Sequence, residues 1–469
     1  MSALARILAD ALARQRNAIE SASGEHREPA ELLAVAARVK ETLIARGVTA
    51  NEPVHVHMAN RPADLGSLLG VWEAGAVAVP VHVGAAASTR ERVQRVSHAR
   101  FALDGAVLVT LGNAAAPDRP LLRDAALVIF TSGSTGLPKG VVIGHQRLTD
   151  KLVVLDRLLM LRASDVVLCP LQITFIFGLW VSLLALMRGA RLVLVEKFAN
   201  DVMERSLAAS TVLAGVPSMF RTLLTNPELR APNLRLLLTG GEVLSPALAG
   251  ALRHITPAAI HDLYGLTETG SCDFCLGPKD QPRGFGTLGQ PTDEVSFRIA
   301  DANGEVAPGE AGELQIDTPF GMLGYLDQPE LTDASFADGY FKTGDLARLT
   351  PDGSVTLVGR AKDIISRGGH KIAPLEIDNL LAEHPDVFAA LCAGVPDERL
   401  GEVIHAVIVP RAGAKLDAVS LRAWMAARTE RFKVPDVFHF RDALPSGATG
   451  KADRKAVAQM AERDSSARS

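Results

Sequence analysis

Residues 127–140 read LVIFTSGSTGLPKG. Apolar residues in the pattern of a buried strand run into a loop of hydroxyls and glycines, and Pro138 leads on to Lys139. Such a loop brings backbone N–H groups, hydroxyl donors and one cation into a small volume, an arrangement that suits phosphate oxygens. It is not a Walker loop. Gly133 and Gly136 stand too close together, Gly140 rather than Ser or Thr follows Lys139, and Pro138 falls where a Walker loop is already helical. A plain turn between two strands is the competing reading, so the rest of the chain has to decide.

Similar runs recur outward from this stretch: PVHVHM (53–58), AVAVPV (76–81), DVVLC (165–169), RLVLV (191–195), TVLAGV (211–216) and LRLLLTGG (234–241). Continuous rather than alternating apolar runs predict sheets covered on both faces, hence an α/β fold. After about residue 290 the texture changes: VSFRIADANGEVAPGEAGELQID (295–317) reads as antiparallel strands with turns at ANGE and APGEAGE. A second shift follows DGSVTLVGRAKDII (352–365). The compact block beyond it has the size of a small domain, with helices expected at 374–384 and 418–430 and a strand at 403–409.

At 469 residues the chain is too long for one core. A hydrophobic fraction of 48%, a charged fraction of 22% and a net charge of −4 describe an ordinary globular protein, with no electrostatic case for nucleic acid or an anionic membrane. The four cysteines, Cys169, Cys272, Cys275 and Cys392, are too few for a disulfide framework. Cys272 and Cys275 have metal-ligand spacing but no accompanying Cys or His pair, so a pocket wall is the better reading. The N-terminal stretch, amphipathic and acid-containing, reads as a surface helix and not a signal peptide. Residues 166–187 carry no Asp, Glu, Lys or Arg and imitate a membrane span, but Pro170, Gln172, Thr174 and Gly178 interrupt them; a buried strand, turn and helix is expected. These features predict a cytoplasmic protein without a membrane span, as a monomer or homodimer.

Further stretches join the opening loop. YGLTETG (264–270) puts an aromatic ring, hydroxyls and the carboxylate of Glu268 close together; FKTGDLARLTPDGSVTLVGR (341–360) offers Asp345 and Arg360; KDIISRGGHKIAPLEID (362–378) holds paired glycines; LPSGATGKADRK (444–455) presents Lys451. Singly, each reads as a cap, a turn or a solvated charge. Together, in this order, they resemble the adenylate-forming superfamily of acyl- and aryl-CoA synthetases, peptide-synthetase adenylation domains and luciferases. The resemblance runs from about Leu127 to Lys455. The first 120 residues add no motif and are short for the family.

What the resemblance implies is an ATP-dependent carboxylate–CoA ligase. It would have a large N-terminal domain of layered sheets and helices (1–361) and a small mobile α+β domain (362–469) hinged at Lys362. The acid would be joined to AMP with pyrophosphate leaving, then passed to a thiol. Thr131, Ser132, Gly133, Ser134, Thr135, Gly136 and Lys139 would close over the β- and γ-phosphates. Glu268 would hold Mg²⁺ and Thr267 touch the α-phosphate. Tyr264, with Gly265 and Leu266, would lie against adenine, and Asp262 accept from its amino group. Gly240, Gly241 and Glu242 would approach the nucleotide. Asp345 suits the ribose hydroxyls, Arg360 would sit near ribose or phosphate, and Lys451 would bridge carboxylate, ribose and α-phosphate. Gly368 and Gly369 would wall a pantetheine tunnel, with Arg431 and Lys433 near the CoA phosphates.

Two departures qualify this picture. Phe175 stands where many members carry His and amino-acid-activating ones Asp, so the usual ammonium anchor is missing; an apolar acid is expected in a pocket of Phe175, Gly178, Ala214, Gly215 and Leu238. Lys362 replaces a common Asp at the hinge, an accepted alternative. The rival acceptor is the phosphopantetheine of a carrier protein, which presents the same thiol arm. A rival of another class, a nucleotide-binding protein without catalysis, is disfavoured by the joint presence of Lys139, Glu268, Asp345 and Lys451.

Overall fold

Every one of the uninterrupted apolar runs is a strand. The computed structural model describes residues 2–113, 117–132, 138–281, 284–411, 413–445 and 452–466. Among these residues the strands form four sheets of nine, seven, six and five strands. In the largest, Ile19–Ser21, Arg191–Leu194, Val166–Cys169, Val212–Gly215, Leu236–Gly240 and Ala259–Tyr264 lie side by side and parallel, and Phe274–Leu276 and Gln290–Pro291 add antiparallel strands at one edge. In the second, Pro53–Met58, Val77–His82 and Phe101–Asp104 are parallel, and Val77–His82 borders the hairpin of Ala125–Ser132 with Pro138–Gly144.

Helices Ala3–Arg14, Pro62–Glu73, His145–Leu159 and Ile176–Arg188 share one apolar core with strands of both sheets; Trp72, Trp180, Leu4 and Leu8 are buried in it. The parallel strands need no alternation because apolar side chains are buried on both of their faces. The membrane-like segment resolves as expected into the strand Val166–Cys169, a turn and the buried helix Ile176–Arg188. No helix among the described residues is long and apolar enough to cross a membrane.

The third sheet is antiparallel, built on Ser296–Asp301, Ala311–Asp317, Tyr340–Leu349 and Val355–Arg360. The fourth comprises Ile365–Arg367, His370–Ile372, Val387–Asp397, Gly401–Pro410 and Val437–Phe440, backed by helices Pro374–Ala382 and Ala418–Ala426. Its core of Ile365, Ile372, Ile377, Leu381, Ile404, Leu421 and Met425 is separate from the others, as a C-terminal domain requires. The expected helices both form but end two to four residues early, at Ala382 and Ala426.

Candidate active site

The opening stretch is a hairpin, not a strand-to-helix turn. Thr131 pairs with Lys139 and Ser132 with Pro138 in the antiparallel ladder, so the backbone places Lys139 beside the loop's entry. Gly133, Ser134, Thr135 and Gly136 lie outside the described residues, as does Lys451. The Lys139 ammonium sits 5.1 Å from the centre of the Tyr325 ring. Tyr325, on the short strand Gly324–Tyr325 beside Pro138–Gly144, donates its hydroxyl to Glu268 Oε1 at 3.2 Å. Burial and the Glu268 carboxylate push the Tyr325 hydroxyl's pKa up, so it remains a donor. Tyr325 thus links Lys139 to the Glu268 carboxylate, a contact that nothing in the motifs announced.

Glu268 is fixed through its backbone as well. Its carbonyl accepts the Met322 N–H at 2.7 Å, and Arg147 donates to the carbonyls of Gly321 and Met322 at 2.9 and 2.6 Å. The hydroxyl side of the loop is locked internally: Thr269 Oγ1 accepts the Leu266 N–H at 3.2 Å and donates to Asp273 Oδ2. The Thr267 carbonyl accepts the Gly270 N–H at 3.2 Å. Beneath the loop lies a buried ion pair. Lys151 Nζ donates to the Cys272 carbonyl at 2.8 Å and stands 3.8 Å from Asp273 Oδ1, over the Phe320 ring. Lys151 and Asp273 are 1% and 0% exposed, so neither charge is tolerable without the other. Ser271 and Cys272, with φ of 69° and 54°, hold a left-handed backbone that this pair clamps.

Asp345 centres a second cluster. Asp345 and Arg360 are directly opposed in the ladder between Tyr340–Leu349 and Val355–Arg360, and Arg360 Nε is 2.8 Å from Asp345 Oδ1. Tyr264 donates to the other oxygen at 2.7 Å. The Tyr264 ring packs edge-on against Phe274. Asp262, two residues earlier on the strand Ala259–Tyr264, is pushed up to about 8 by burial, against the opposing pull of the Leu263 N–H. The structure therefore brings Tyr264, Asp345 and Arg360 into contact and joins Lys139 to Glu268 through Tyr325.

Several of the expected site glycines also make room for neighbouring protein atoms. At Gly240 a Cβ would lie 2.5 Å from the Leu263 carbonyl, and at Gly265 2.3 Å from the Cys272 N–H nitrogen. Both make room for neighbouring backbone; Gly241, with φ of 80°, turns the chain out of the sheet. At Gly178 a Cβ would lie 2.6 Å from the Gln172 carbonyl, so the glycine lets the helix Ile176–Arg188 pack on its own entry turn. Gly215 faces the Phe220 ring, whereas Ala214 and Leu238, paired across two strands, point into the core between the sheets. Phe175, the N-cap of that helix, is partly exposed. Asn60 holds the turn before it: it donates to the Leu171 carbonyl at 2.8 Å and accepts the Ile173 N–H at 3.0 Å.

Glu242 turns its carboxylate to Ser218, Arg221 and the Ala452 N–H. In the small domain Gly368 and Gly369, with φ of 55° and 85°, form the two-residue turn between Ile365–Arg367 and His370–Ile372. Lys433 is engaged by Glu376 and Glu430 at 2.6 and 3.0 Å, which leaves it less available to a CoA phosphate than expected; Arg431 is exposed. Burial keeps Cys272 and Cys275 as protonated thiols, with the former pushed up to about 12.

The sequence profile of the AMP-binding enzymes matches residues 10–326, and that of the AMP-binding enzyme C-terminal domain matches 376–451. The chain belongs to the AMP-binding enzyme family, within the adenylate-forming superfamily. It is an AMP-forming acid–thiol ligase of the acyl-CoA synthetase type. This AMP-binding enzyme is 34% identical over 455 residues to a feruloyl-CoA synthase of an Amycolatopsis species, covering 90% of this chain and 91% of that protein. It is 33% identical over 357 residues to the fatty acid–[acyl-carrier-protein] ligase ScoC of Streptomyces coeruleorubidus, covering 72% and 67%. ATP-bound MatB from Rhodopseudomonas palustris superposes with a TM-score of 0.86 at 27% identity, over 99% of each chain.

The site's chemistry fits a nucleotide and a hard cation. Glu268 offers carboxylate oxygens of which one accepts from Tyr325, the donor type that Mg²⁺ takes. Asp345, buried yet bordered by the half-exposed Arg360, presents an acceptor for hydroxyls.

Proposed function

We propose that this AMP-binding enzyme activates an apolar carboxylic acid, aryl or aliphatic, and transfers it to the thiol of coenzyme A. Phe175 carries the substrate class: a partly exposed aromatic ring stands at the helix N-cap where an ammonium anchor would be needed for an amino acid. Thr131, Ser132 and Lys139 with the loop 133–136 would hold the outer phosphates, and Thr267 and Lys451 the α-phosphate. Tyr264 and Asp262 would bind adenine, and Asp345 the ribose. Glu268 would hold Mg²⁺, which supplies charge neutralisation on the phosphates. The protein's own contribution is positioning and electrostatics, since two anions must be brought together.

The small domain, beginning at Lys362, would present Lys451 for the first half-reaction and the Gly368–Gly369 turn for the second. Support for CoA comes from the feruloyl-CoA synthase, matched over nearly its whole length. One assay tests the reading: a carboxylate panel scored by pyrophosphate release, with CoA, with a phosphopantetheinylated carrier protein, and with neither. Aryl or aliphatic acids with CoA should turn over. Robust turnover of alanine or leucine defeats the substrate class, and acceptance of the carrier alone replaces CoA.

A further inference from the structure

Four donors meet the Glu242 carboxylate, and they come from both domains. Ser218 donates its N–H at 3.1 Å and its hydroxyl at 3.0 Å, and Arg221 Nη1 lies at 3.5 Å; all belong to the large domain. The fourth donor, the Ala452 N–H at 3.1 Å to Oε1, comes from the small domain, on the residue that follows Lys451. Arg454, just beyond, is fixed within the small domain by an ion pair to Asp378 and a 2.6 Å hydrogen bond to the Cys392 carbonyl. Each charge at this point therefore has its partner on its own side, Glu242 with Arg221 in the large domain and Asp378 with Arg454 in the small one. Separation would leave Glu242 with Ser218 and Arg221, and Asp378 with Arg454. Among the described residues, the hydrogen bond to Glu242 that opening breaks is that of the neutral Ala452 N–H, which water can take over while Glu242 keeps its large-domain partners.

We propose that Glu242, oriented by Ser218 and Arg221, is a positioning residue that docks the small domain for acyl-adenylate formation and releases it for thiol transfer. This rests on the two-half-reaction reading above, and it gives Glu242 a task other than holding nucleotide.

Glu242→Ala should lower kcat for pyrophosphate release about 10- to 100-fold, the worth of one hydrogen bond to a charged group, with KM for ATP changed less than about twofold. Conversion of synthetic acyl-adenylate and CoA to thioester should stay near wild type. Glu242→Gln, whose amide oxygen still accepts the N–H, should recover much of the loss. The double variant Glu242→Ala/Arg221→Met removes both charges, preserves the fold if the single variant does not, and should show the same selective loss. Wild-type kcat for pyrophosphate release, equal loss of both half-reactions, or a rise in KM for ATP at unchanged kcat each overturns the proposal. Lys451→Ala alongside separates the readings: full adenylation by that variant removes the lysine's role, while the Glu242 variants still decide the joint.

Discussion

Tyr264 donates its hydroxyl to Asp345 Oδ2 at 2.7 Å, while Arg360 holds the other oxygen at 2.8 Å. Two motifs 81 residues apart thus fix one carboxylate. Tyr264→Phe keeps the ring on Phe274 and removes the donor. KM for ATP should rise about tenfold, the worth of one hydrogen bond to a charged group, with a smaller change in kcat. Steady-state kinetics with calorimetric ATP binding measures it; an unchanged ATP affinity would detach Asp345 from the nucleotide.

Lys151→Met leaves Asp273 buried without its cation, a change that costs about 3–5 kcal/mol in comparable pairs. Burial already raises Asp273 to about 6. A carboxyl whose folded pKa is raised favours the folded state fully below its unfolded value, and that stability is lost as pH rises through the folded value. Protonation should therefore relieve the variant: its Tm deficit should be larger at pH 8 than at pH 5. Lys151→Met/Asp273→Asn should regain most of the loss. A deficit independent of pH would mean that packing, not charge, is what Lys151 supplies.

Asp262 gives a second titration. Its pKa is raised from 3.8 to about 8 by burial, so its contribution to stability is whole below the lower value and declines as pH rises to the upper one. Thermal melts of the unliganded enzyme between pH 5 and 8.5 should show a steeper decline for wild type than for Asp262→Asn. Parallel profiles would show that the carboxyl is already ionised at pH 5.

Glu268→Gln keeps an oxygen for the Tyr325 hydroxyl and removes the charge. The fold should survive, seen as an unchanged Tm, while pyrophosphate release at limiting Mg²⁺ falls severely. Wild-type release at limiting Mg²⁺ refutes the metal role.

The fold was legible wherever burial writes an uninterrupted apolar run: VVLC, RLVL and VLAG became adjacent parallel strands. The motifs were legible as a set because their order along the chain carries the family resemblance, which the family profiles bear out. Tyr325, Arg147 and Lys151 were not, for a physical reason. Each acts across a long sequence separation, and a tyrosine in GYLD or a lysine within a helix looks like ordinary packing or solvated charge. The strand packing of LRLLLTGG was not legible either, since only the fold shows that a Cβ at Gly240 would meet the Leu263 carbonyl.

Lys451 and Lys362 test the alternation itself. Lys362 is exposed in the short helical turn Ala361–Asp363, which joins the strand Val355–Arg360 of the third sheet to Ile365–Arg367 of the small domain. A lysine that stabilises charge only during adenylation should be needed for one half-reaction alone. Lys451→Ala should cut acyl-adenylate formation about a hundredfold or more, for loss of one transition-state cation, and still convert synthetic acyl-adenylate and CoA near the wild-type rate. Lys362→Pro fixes φ at the link and should do the opposite, sparing the first chemistry and slowing thiol transfer. Half-reactions measured separately, with Tm as the control for folding, decide it. Folded variants that both lose both half-reactions equally would show that one domain arrangement serves the whole reaction.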